Sequence, residues 1–322
     1  MKTLSVAAAA LSLVMATNAV ADWPEKPVKL VVPFAAGGTT DLTARAFQQA
    51  ANTEKLLSEP VSVVNIGGHF SMGLRQVKDA EPDGHTFTIM HVALMTGQAS
   101  GMLDFGYKDF VPVARMGAFC EVAAVRSDLG VKSVDELLQK AADKPDSVVA
   151  GVNLGALNHT FMLMLEDLKP GAKFRFVQTG GDAKSYTALA GKHTDAGAMA
   201  AGSAISYTRS GDQMNPDSGI TLLAYSGPER NPGLPEVPTL KELGHDIEFC
   251  IDMWYFAPKG TPKAAIDGFA SAVKQSLDTE VVQKYFKSKA MVGSYLAGDA
   301  LAKNLDEQWV RIEPVAKRAK KK

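Results

Sequence analysis

Residues 28–50 read VKLVVPFAAGGTTDLTARAFQQA: an apolar, β-branched run, a glycine pair, then a polar opening into apolar positions at helical spacing. The pattern predicts a strand, a tight loop and a helix. Thr39, Thr40 and Asp41 stand where side chains accept from the first unpaired N–H groups of a helix, and Asp41 also suits the positive end of its dipole. The same order of strand, loop and helix returns at residues 147–168 (SVVAGVNLGALNHTFMLMLEDL) and 173–201 (KFRFVQTGGDAKSYTALAGKHTDAGAMAA). FTIM at 87–90 predicts a further strand running into HVALMT, which reads as a turn, and EVAAVRS at 121–127 another. Ser133 and Glu136 form an S-x-x-E capping box that opens a helix, and Thr261-Pro262 marks a later helix start with Pro262 at the first helical position. Strands alternating with helices imply parallel sheets, with ligand sites at the strand carboxyl ends.

Before the first strand lies MKTLSVAAAALSLVMATNAVA, where Lys2 precedes an apolar run closed by the small residues Ala19 and Ala21. This layout predicts a secretory signal peptide over residues 1–21, cleaved before Asp22, and hence an exported, periplasmic protein. The apolar stretch from Leu4 to Met15 is shorter than the roughly 20 residues a membrane-spanning helix needs. The remaining length suits two domains. With 34 basic against 35 acidic side chains the net charge is -1, so no broad electrostatic footprint for nucleic acid exists. The basic run at 317–322 reads as a solvated tail. Two cysteines, Cys120 and Cys250, cannot build a disulfide-dense scaffold or a cysteine zinc cluster. Whether they bridge or stay as two buried thiols is open from the residues themselves.

Catalytic signatures are missing where they would be sought. The first glycine loop continues Gly37-Gly38-Thr39-Thr40, without the Lys-Ser or Lys-Thr of a phosphate-binding P-loop and without the G-x-G-x-x-G spacing of a dinucleotide site. Ser71 and Ser203 lack the flanking glycines of a nucleophile elbow. The six histidines are scattered, with no i, i+4 pair around a glutamate, and His159, which opens the helix after the second glycine loop, is the one placed near a site. What remains is loops that deliver unpaired N–H groups at helix starts, and such loops hold anions without Arg or Lys. Neither 31–41 nor 147–158 contains Arg or Lys. A carboxylate fits such a cradle; plain α/β turns are the alternative.

The chain resembles the substrate-binding proteins of tripartite tricarboxylate transporters, the Bug-type periplasmic receptors. The resemblance rests on WPEKPVKLVVPFAAGGTTD at the mature start, AEPDGHTF at 80–87, GVNLGALNH in the second loop, PGLPEVPTLKELG at 232–244 and WYFAPKGTPKAAID at 254–267, in that order across nearly the whole chain. It implies an α/β, two-lobed periplasmic binding protein of type II-like fold with a ligand cleft between the lobes. Residues 22–121 and 250–322 would form one lobe and 122–249 the other. The first glycine loop would grip a ligand carboxylate with Phe34, Ala35, Gly37, Gly38 and Asp41. The opposite lobe would add Asn153, Gly155, Asn158 and His159, with Thr179 and Gly180. The implied protein is a non-enzymatic monomer with no cofactor or metal. It would capture a small organic carboxylate and deliver it to the membrane permease subunits of a tripartite transporter. A carboxylate sensor and a secreted α/β enzyme are the rival readings.

Two segments depart from the family pattern. VNIGGHFSMG at 64–73 lacks the usual Arg and Pro and introduces His69 and Phe70, and HVALMT replaces a small polar turn, which puts His91 and Thr96 in doubt as ligand contacts. In HTDAGAMAAGS at 193–203, Met199 stands where amino-acid-binding members often carry an acid, so Met199 is expected in the pocket and an amino-free dicarboxylate as the ligand. The resemblance also places both cysteines at the crossovers between lobes and therefore close together.

Overall fold

In the computed structural model, residues 23–319 are described apart from Gly68 and Asp212; the expected signal peptide at 1–21 lies outside the described residues. The first lobe opens with three strand–helix units: β1 (Val28–Val32), α1 (Thr39–Thr53), β2 (Val61–Asn65), α2 (Phe70–Lys78), β3 (Thr86–Met90) and α3 (Ala93–Ala99). A long strand β4 (Phe110–Arg126) leads onward to α4 (Val134–Asp143), β5 (Val148–Val152), α5 (Leu157–Asp167), β6 (Phe174–Gln178), α6 (Asp182–Ala190), β7 (Ala196–Ala200) and α7 (Ala201–Thr208). A small hairpin, β8 (Arg209–Ser210) and β9 (Gln213–Met214), precedes β10 (Ile220–Tyr225). The chain returns through β11 (Cys250–Pro258), α8 (Lys263–Ser276), α9 (Glu280–Lys289), β12 (Val292–Ala297) and α10 (Gly298–Ala319).

β1 pairs in parallel with β2 and β3, and β11 lies antiparallel between β3 and the first part of β4, to which β12 also pairs. The second part of β4 pairs antiparallel with β7 and β10, and β5 lies parallel to both β7 and β6. One 17-residue strand therefore belongs to both lobes. The change of partner falls at Cys120, opposite Cys250, and Glu121, opposite Ala200. The two cysteines form a disulfide with a Cα separation of 4.0 Å. β11 is central, so it reads as an almost continuous buried run through Trp254, Tyr255 and Phe256 instead of an alternating one. Arg318, near the end of α10, makes a paired contact with Asp167 of α5 at 2.7 and 2.6 Å, so the last helix reaches from the first lobe to the second.

Local signals explain most helix starts. Ser133 accepts from the Glu136 N–H at 3.1 Å, and α4 begins at the next residue, as the S-x-x-E spacing predicts. Pro262 is the residue before α8 and not its first helical position, a shift of one. HVALMT is no turn: α3 begins within it, because Leu94 and Met95 are buried against the core and pull the segment into a helix that its local sequence does not announce.

Candidate functional site

A cavity of about 360 Å³ opens where β4 changes sheets. Its wall takes Thr39 and Phe119 from the first lobe, Glu121 from the crossover, and residues of the α5, α6 and β7 loops from the second. An adjoining cavity of about 230 Å³ shares Thr39, Phe119, Asp182 and Ala200 and adds Ser203, Tyr207 and Lys289. Four helices start on this cleft. The residues before α1, α5, α6 and α7 are Gly38, Ala156, Gly181 and Ala200, and none supplies a side-chain cap. Of the helices that start elsewhere, α2, α4 and α9 are capped by His69, Ser133 and Thr279, whereas α3 and α8 have no side-chain cap. Uncapped helix starts leave N–H groups and the positive end of the dipole facing the cleft, the physical basis of an anion site.

Asp41 shapes the first loop. Its carboxylate accepts from the Gly37 N–H at 2.7 Å, from Arg45 at 3.1 Å and from Asn65 at 2.8 Å, and the residue is 1% exposed. Burial by itself would raise its carboxyl, yet these hydrogen bonds outweigh burial and hold it below the usual range. The carboxylate is thus held by partners inside the lobe, and from its place in the first turn of α1 it accepts from Gly37, just before the helix, and not from an N–H group of the helix itself. Gly37, at φ +88°, occupies a conformation that L side chains rarely adopt, and this turns its N–H back toward Asp41. Replacing Asp41 with Ala should cost about 1–3 kcal/mol by stranding the Gly37 and Asn65 donors, read as a lower denaturation midpoint. Because its folded pKa is depressed, the stability Asp41 contributes is present above its unfolded value near 3.8 and lost as pH falls through the folded value.

Phe34 stacks on His91, with centroids 5.2 Å apart and planes 8° from parallel, and lies 6.3 Å from Phe70 on another side. The two departures noted in the sequence thus meet in one aromatic wall on the first lobe. His91 accepts from the Ala93 N–H at 3.2 Å, and burial pushes its ring down to about 4, so it is neutral at physiological pH.

The second loop is also braced from within. Asn158 accepts from the Asn153 N–H at 3.1 Å, His159 from the Gly155 N–H at 3.0 Å, and Gln178 from the Leu154 N–H at 2.8 Å. Asn153 and Asn158 line the cavity. Thr179 points its hydroxyl to Ser185 at 2.9 Å, and the cavity wall passes instead through Gly181 and Asp182, one and two residues beyond Gly180.

Met199 lies elsewhere. It is 0% exposed in a hydrophobic cluster with Val122, Ile220 and Tyr225, and its neighbour Ala200 lines the cleft. Alternation along β7 sends successive side chains to opposite faces, so the expected pocket residue is a core residue. Sequence reasoning missed Glu121, Gly181, Asp182 and Ala200. A single acid inside the otherwise apolar run Cys120–Val125 was the visible sign of Glu121.

The UPF0065 protein in gbd 5′ region of Cupriavidus necator is 29% identical over 285 residues, covering 85% of this chain and 82% of its own. A crystal structure of a TctC solute binding protein from Polaromonas superposes with a TM-score of 0.80 at 26% identity, over 92% of this chain and 99% of that one. MatC from Rhodopseudomonas palustris, solved with bound malate, shares the fold with a TM-score of 0.69 at 24% identity, over 91% and 100%. The sequence profile of the tripartite tricarboxylate transporter family receptor, TctC, matches residues 44–320. With that match over most of its length and a two-lobed frame whose helix starts converge on one cleft, the chain belongs to the tripartite tricarboxylate transporter receptor family.

Proposed function

We propose that the protein captures a small organic carboxylate between its lobes, without altering it, and presents it to the membrane permease subunits of a tripartite transporter. The observation that carries this reading is the meeting of four uncapped helix starts on one cavity. Aligned N–H groups bind a carboxylate by dipole and hydrogen bond, and they need no arginine. The malate in MatC is a precedent for a dicarboxylate in this fold. A preference for amino-free ligands rested on Met199 in the pocket, and with Met199 in the core that support is gone. The protein is exported by the signal peptide expected at its start and works as a monomer in the periplasm. Residues 22–121 with 250–322 move against 122–249 about the crossovers, closing on the ligand.

A thermal-shift screen of mono-, di- and tricarboxylates, aromatic ones included, tests the proposal. A true ligand at about 100 times its Kd adds roughly 2.7 kcal/mol of stability. Mass spectrometry of a stoichiometric incubation should return the ligand unchanged. If no carboxylate raises the midpoint, the receptor reading fails; if product forms, the protein is an enzyme.

A further inference from the structure

We propose that Glu121 and Asp182 form a cation subsite in the cleft, so that the ligand carries an amine nitrogen as well as a carboxylate. This rests on the carboxylate-receptor reading and specifies the ligand class. Glu121 lines the cavity yet is only 3% exposed, and its Oε2 has no hydrogen-bond partner. A buried carboxyl oxygen left without a donor carries an uncompensated desolvation cost. Such a group fits a site whose missing donor arrives with the ligand.

The second acid stands across the same strand pair. Glu121 is opposite Ala200 in the β4–β7 register, and the Ala200 N–H donates to Asp182 at 3.2 Å. Burial raises the Glu121 carboxyl well above the usual range, and the charge of Asp182 raises it further. Burial also raises Asp182, against hydrogen bonds from Ser203 and Ala200. Among the described residues lining the main cavity there is no basic side chain, and Lys289 lines the adjoining cavity, which Asp182 also lines. Burial favours the neutral form of the two acids in the empty cleft; a bound ammonium would draw them into the ionised form and supply the missing donor. The carboxylates of a dianion would bring neither acid a donor.

The backbone at Glu121 is held in place before any ligand arrives. Its N–H donates to Ser226 Oγ at 2.9 Å, its carbonyl accepts from the Ser226 N–H at 2.9 Å, and Cys120 beside it is bonded to Cys250. The cleft therefore presents two complementary halves: helix starts for a carboxylate, and two acids for a cation. The match is to a molecule that bears both.

Titration calorimetry on matched pairs decides the matter: glutamate against glutarate, aspartate against succinate, 4-aminobutyrate against butyrate. At least one amine-bearing member should bind tenfold or more tightly than its amine-free partner. Glu121→Gln should reduce that affinity about tenfold while leaving the amine-free partner nearly unchanged. Asp182→Asn makes the same comparison should the first variant not fold, as judged by thermal melting. Amine-free members binding as tightly in every pair, or a folded Glu121→Gln protein with wild-type affinity, overturns the subsite while the carboxylate reading stands. If no carboxylate of either kind binds, both fall together.

Discussion

Removing the Cys120–Cys250 bond, by reduction or by the double change to alanine, should lower stability by about 4 kcal/mol, because it frees a closed loop of more than 100 residues in the unfolded chain. The two residues are 130 apart in sequence and directly opposed across β4 and β11. A loss of this size corresponds to a melting midpoint roughly 6 °C lower in a chain of this length. The bond joins the two crossover segments at the point where β4 passes from one lobe to the other. Its loss should therefore loosen the hinge region as well as the global fold, and amide exchange at Glu121 and Ile251 should rise with it. A reduced protein melting within 2 °C of the oxidised one would show that the β4–β11 ladder holds this region without the bond.

Gly181→Leu should leave a folded protein that no longer binds carboxylates, with affinity down at least 100-fold. Gly181 lines the cavity at the start of α6, its φ of -75° is open to any residue, and a Cβ there would meet nothing within 4 Å. The leucine side chain consequently projects into the cleft instead of into the core. The change at this capping position costs about 1 kcal/mol. Filling a cavity of about 360 Å³ with a four-carbon side chain removes room for the ligand and shields the N–H groups of α6. Calorimetry showing wild-type affinity in the folded variant would move the binding site away from this cleft. Gly37 is a poor position for the same test, since its φ of +88° would strain any replacement and mix a folding defect with a binding one.

The parts legible from sequence were those with short-range causes. The β-branched runs at Val28–Val32 and Val148–Val152 became parallel strands, and the S-x-x-E box at Ser133 started α4 at the next residue. The glycine loops likewise led into helices at the carboxyl ends of strands. Two failures have an equally specific cause. The segment HVALMT carries no helix-start signal, and burial of Leu94 and Met95 decided its conformation. Met199 and Ala200 differ by one step along a strand whose period is two, so placing the pocket on the wrong one inverts core and cleft.

By itself the sequence determined the alternation of strand, loop and helix and the absence of arginine and lysine from the two glycine loops. Through resemblance it also indicated the family and its two lobes. The first two follow from periodicity, capping and composition over a few residues, and the last from the order of longer matching segments. The tertiary structure alone decided which helix starts share a cavity, that Asp41 spends its carboxylate on Gly37, Arg45 and Asn65, and that Cys120 and Cys250, which the resemblance placed close together, are bonded. It also set Glu121 against Ala200 beside Asp182, although these residues are far apart in sequence. Strand register and burial bring distant residues together, and no local pattern encodes which side chain then faces water, core or ligand.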